Sequence, residues 1–80
     1  MRAEQVKQCI LDHIQNAEVE ITGDDYHYQA TIISPVFQGK SLVQRQQLVY
    51  QALGQAFTQG TLHAFSMKTF TPDEWAEQHG

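Results

Sequence analysis

Eighty residues suffice for one domain with a single core and leave little room for an elaborate active site. A formal net charge of −4, with only five Lys and Arg and no basic run, argues against strong attachment to a phosphate backbone, and no apolar stretch is long enough to cross a bilayer. The opening MRAEQVKQC lacks the apolar core of a signal peptide and the single Cys9 cannot form an intramolecular disulfide, so the expected location is cytoplasmic.

The first element is a helix over residues 2–15. Val6, Cys9, Ile10, His13 and Ile14 recur at three- and four-residue steps, while Glu4, Lys7, Gln8 and Gln15 are left for solvent. Val19 and Ile21 alternate with Glu18, Glu20 and Thr22, which predicts a strand with one wet face. Gly23-Asp24-Asp25 turns the chain into a second strand over residues 26–34, where Tyr26, Tyr28, Ala30 and Ile32 share a face. The two strands form a hairpin.

Pro35 stops that strand, and residues 35–40 connect it to a helix opened by Ser41, with Gln44 as its capping-box partner. A stripe of Leu42, Gln46, Val49, Tyr50, Leu53 and Phe57 carries this helix to about residue 58, with Gly60 as its stop. Phe65, Met67 and Thr69 then alternate with Ala64, Ser66 and Lys68, predicting a third strand over residues 62–70. Thr71-Pro72-Asp73-Glu74 is a helix start: Thr71 caps, Pro72 fits the first helical position, and Glu74 completes a capping box. Phe70 and Trp75 occupy the staple positions on either side of that cap. The order α-β-β-α-β-α makes residues 1–80 one α+β domain, a three-stranded mixed sheet with its helices packed on one face.

Right-handed crossovers make strands joined through a helix parallel, so the second and third strands start from the same edge. His27 and His63 are each the second residue of their strand. As neighbours about 4.8 Å apart, the strands would bring both imidazoles to one rim, provided the register puts them on one face. His63, beside an apolar run, is the foremost candidate for metal or cluster ligation, its commoner alternative being a strand-end histidine bonded to backbone or water. His27 between two tyrosines can equally occupy a polar face. Cys9 and His13, four apart on a helix, suggest an activated thiol, but both fall on the apolar stripe and lack a third, orienting group. Asp24 and Asp25 read as turn formers, and His79 sits at a terminus. No glycine arrangement makes a phosphate loop, and no enzyme signature is present. Lys40, Arg45 and Lys68 are the cations that could gather into a small basic patch.

The pattern F-x-G-x-x-x-x-x-R-x-x-x-V-Y at Phe37, Gly39, Arg45, Val49 and Tyr50, and the run H-A-x-x-x-K-T-x-T-P-x-E-W from His63 to Trp75, resemble the BolA family, and within it the IbaG (YrbA) branch of short bacterial members. The likeness covers nearly the whole chain, with Tyr28 where Phe is usual. It implies a BolA-like fold related to the type II KH fold, and a partner: a monothiol glutaredoxin of the CGFS type. The pair would hold a [2Fe–2S] cluster between them, the glutaredoxin supplying its cysteine and a glutathione thiolate. This chain would supply His63 and, as second ligand, His27, with no cluster bound by the isolated, monomeric chain. Imidazole ligation lowers the negative charge of such a cluster, and protonation competes with it. Cluster trafficking or a stress response would be the biological role. The resemblance also supports a different class, a KH-like transcriptional regulator binding nucleic acid weakly, although the acidic balance and the missing G-x-x-G clamp stand against it.

Overall fold

Local capping and strand alternation account for most of the architecture. The computed structural model describes residues 3–23, 27–54 and 64–79, of which residues 64 and 79 by backbone alone. Helix α1 (Ala3–His13) leads into β1 (Glu18–Gly23) and β2 (His27–Ile33). A short 3-10 turn (Pro35–Phe37) and α2 (Leu42–Leu53) follow, then β3 (Ala64–Phe70) and α3 (Pro72–His79).

The sheet order is β1-β2-β3, antiparallel between the first two strands and parallel between the last two, as the crossover rule requires. Tyr28, Ala30 and Ile32 of β2 face the core with Val19, and α1 covers them through Val6, Ile10 and Ile14. Val49, Ala52 and Leu53 of α2 close the same layer. Phe65 and Met67 pack against it from β3. Each strand therefore buries one side of its pleat and leaves the other outward.

Helix ends differ from expectation for identifiable reasons. Helix α1 stops at His13, and Asn16 adopts a positive φ of 54°, a conformation asparagine tolerates better than most residues. His13, placed by periodicity on the apolar stripe, is exposed. Helix α2 ends at Leu53 rather than near residue 58, because Gly54 takes a positive φ of 54° and its N–H closes onto the Tyr50 carbonyl at 2.9 Å. Phe57 and the Gly60 stop lie outside the described residues. Leu42, expected on the buried stripe, is 62% exposed at the open start of α2.

The predicted capping boxes are both present. Ser41 N–H donates to Gln44 Oε1 at 2.9 Å and Gln44 N–H to Ser41 Oγ at 3.2 Å. At the start of α3, Thr71 N–H donates to Glu74 Oε1 at 2.8 Å and Glu74 N–H to Thr71 Oγ1 at 3.2 Å. Phe70 and Trp75 meet edge to face with centroids 5.3 Å apart, which is the staple. Helices α1 and α2 pack on one face of the sheet as expected. Helix α3 instead adds Trp75 to the opposite face, since Phe70 shares that side of β3 with Ser66 and Lys68.

Candidate functional site

The parallel register pairs His27 with Ala64 and Ile33 with Phe70, so β2 and β3 begin level with one another. His27 is thus the first residue of β2, exposed, on the side of the pleat that carries Gln29 and Thr31 away from the core. Its Nε2 lies 3.5 Å from Ser66 Oγ, on the neighbouring strand and the same face. The register settles the face of His27, whose imidazole points outward, but it pairs His27 with Ala64 and not with His63, so the two histidines are not the matched second residues the sequence suggested: the pairing is offset by one.

His63 lies outside the described residues, as do Asp24 and Asp25. Its place in the chain is directly before Ala64, the residue paired with His27. Among the described residues no group of three or more His, Cys, Asp or Glu is arranged to hold a metal ion by itself. His13 and His27, the histidines whose side chains are described, are both exposed.

Cys9 and His13 are brought together without forming a nucleophile. The ring Nδ1 of His13 meets the backbone carbonyl of Cys9 at 2.8 Å, while the thiol packs, half-buried, against the core. The Lys40, Arg45 and Lys68 patch loses its central member. Arg45 reaches Glu74 with both terminal nitrogens, at 2.7 and 3.2 Å, and donates from Nε to the Lys40 carbonyl at 3.0 Å. Its guanidinium also sits 5.9 Å from the centre of the Phe37 ring. The Arg45 hydrogen bond, helped by the Thr71 backbone N–H, lowers the Glu74 carboxyl to a pKa of about 2. This clamp joins α2 to α3, and sequence reasoning missed it although both residues stand in the quoted motifs.

The outward face continues beyond His27. Glu18 and Glu20 of β1 stand level with Ile33 and Thr31 of β2, and these four, with Val19 and Trp75, line a cleft of about 340 Å³. No helix among the described residues is long and apolar enough to cross a membrane.

Comparison with known proteins gives this geometry its context. A family model described as "BolA-like protein" matches residues 5–74. The chain is 33% identical over 76 residues to the acid stress protein IbaG of Escherichia coli K12, an alignment covering 95% of this chain and 90% of that one. Its fold is similar to a BolA homologue from Coxiella burnetii, with a TM-score of 0.84, 36% identity and coverage of 95% and 97%. The BolA domain of SufE1 from Arabidopsis thaliana gives a TM-score of 0.76 at 28% identity, covering 92% of this chain and 98% of that domain. With the family model spanning all but the ends, the chain belongs to the BolA-like family.

Proposed function

We propose that this protein pairs with a monothiol glutaredoxin of the CGFS type and shares a [2Fe–2S] cluster with it, His63 serving as ligand and His27 as the second candidate. The observation that carries the reading is the level start of β2 and β3. It sets an exposed imidazole at one rim, in the row of the residue that follows His63. Family membership supports it, and SufE1 carries a domain of the same kind. The relative named an acid stress protein lends support to a stress-related role.

Within such a complex, this chain's residues present nitrogen donors and position them. The β2–β3 ladder fixes where His27 emerges, and the Ser66 hydroxyl beside Nε2 is the group that would orient its ring. When bound, the cluster supplies one-electron chemistry or is itself the cargo handed on. The nucleic-acid reading ranks second. Arg45, one of three cations that could follow a phosphate backbone, is committed to Glu74.

The test is to mix the chain with cluster-loaded monothiol glutaredoxin and compare visible absorption and circular dichroism for wild type, His63→Ala and His27→Ala. Loss of the heterodimer's distinct spectrum is expected for His63→Ala. Unchanged spectra and unchanged heterodimer formation would remove His63 from the site. An unaltered spectrum for His27→Ala alone would return that residue to a strand-end role.

A further inference from the structure

Trp75 is the only tryptophan in the chain, and it stands over the outward face of the sheet rather than in the core. Its position is set from three directions. Trp75 N–H donates to the Thr71 carbonyl at 3.0 Å, the Phe70 ring meets it at an interplanar angle of 69°, and the Arg45–Glu74 pair anchors the first turn of its helix. It forms one wall of the cleft whose floor is Thr31 and Ile33 and whose other wall carries Glu18 and Glu20.

The charge balance of that cleft is one-sided. Successive side chains on one face of a strand are about 7 Å apart, so the two carboxylates flank the floor at neighbouring rows. Among the described residues neither has an ion-pair partner, the one salt bridge there being Arg45 with Glu74. Lys68 is the basic residue on the same face. It shares the row of Thr31 and Glu20 and with Glu20 lines the adjoining cleft on this face, but it is not part of the lining of the Trp75 cleft. The row of Glu18 contains only Ile33 and Phe70, so that carboxylate is bordered by apolar side chains and an indole.

A fixed indole, a floor of Ile33 and Thr31 and two carboxylates match a planar, weakly hydrated cation better than a compact ammonium. Guanidinium stacks on aromatic faces and donates in a fork to carboxylate oxygens, and arginine is enriched at protein interfaces for those reasons. We propose that the Trp75 cleft is a docking site for an arginine side chain presented by a partner protein. The cleft lies at the far end of β2 from His27, about 20 Å along the strand, so it does not depend on cluster ligation.

The test uses neither glutaredoxin nor iron, so its outcome is separate from that of the proposed function. Trp75 emission is followed while the peptide acetyl-Gly-Arg-Gly-amide is added, with the isosteric, uncharged citrulline peptide as control. A saturable change is expected for arginine and none for citrulline. Amide shifts in the NMR spectrum should centre on Glu18, Thr31, Ile33 and Trp75. The double variant Glu18→Gln/Glu20→Gln, both positions being exposed, should fold normally by circular dichroism and bind roughly tenfold more weakly. A response that does not saturate, an equal response to citrulline, or undiminished binding by the double variant would overturn the proposal.

Discussion

Replacing Thr69 by valine should stabilise the protein. Thr69 is 8% exposed and faces the apolar layer opposite Ile32, and its Oγ1 has no hydrogen-bond partner among the described residues. A buried hydroxyl without a partner forfeits its bonds to water, a cost of about 1–3 kcal/mol. Valine keeps the shape and the β-branching that suits a strand while removing that cost. For 80 residues, an unfolding entropy of about 2.1 cal/mol/K per residue makes each kcal/mol worth ~6 °C in Tm. Thr69→Val should therefore raise Tm by about 6–12 °C, taking the lower part of that range, with a higher urea midpoint and an unchanged m-value. Ser34→Ala is the matched contrast at the same end of the sheet. Ser34 is fully buried, but its hydroxyl donates to the Gln15 carbonyl at 2.8 Å and accepts from Val36 N–H at 3.1 Å. Deleting it orphans both groups and should cost about 1–3 kcal/mol. If Thr69→Val lowered Tm by several degrees, as Ser34→Ala should, the account of Thr69 as an unsatisfied hydroxyl would be wrong.

Two further outcomes follow from the clamp and the hairpin. Glu74 has a folded pKa of about 2 against an ordinary 4.5, so the stability it confers is complete above about pH 4.5 and is lost as pH falls through 2. Urea midpoints measured across that window should fall more steeply for wild type than for Glu74→Gln, and parallel curves would show that the pair is not coupled to folding. Gly23 has a φ of +117° at the end of β1, and an added Cβ would run into the His27 carbonyl. Gly23→Ala should cost roughly 1–3 kcal/mol or more and shift the amide resonances of His27 and Tyr28. An unperturbed hairpin spectrum would contradict that geometry.

What could be read from the sequence was local. Ser41 with Gln44, Thr71 with Glu74, and Phe70 with Trp75 are separated by five residues or fewer, and each pair acts within one or two turns. Alternation in β2 placed Tyr28, Ala30 and Ile32 together on one side, the side the structure buries, because a pleat has period two. The misses were choices between equal local signals or contacts at long range. Both Gly54 and Gly60 are stop signals, and nothing nearby says which ends α2. His13 lies at the margin of a stripe, where a small rotation of the helix decides between core and water. Arg45 and Glu74 are 29 residues apart, and only the packing of α3 brings them together. The site was legible to the same degree. Topology predicted that β2 and β3 start level, but the face of His27 depended on register, which sequence does not fix.

Register links the two ends of the outward face. The pairing that sets His27 beside Ala64 also sets Ile33 beside Phe70, and Ser34 N–H extends it by donating to the Phe70 carbonyl at 2.9 Å. A slip of β3 by one residue would break that bond, reverse the side on which Phe70 meets Trp75, and carry Ser66 away from His27. The bracing is concentrated at the Ser34 end: the buried serine, the aromatic staple and the Arg45–Glu74 clamp all act there. At the other end His27 is exposed, with its Nε2 3.5 Å from Ser66 Oγ. For the proposed ligand role, an exposed side chain on a strand whose register is fixed elsewhere would keep the reorganisation on binding small. Helix α3 and its cap thus bear on His27 from the opposite end of the sheet, because they hold the register that decides which way His27 faces.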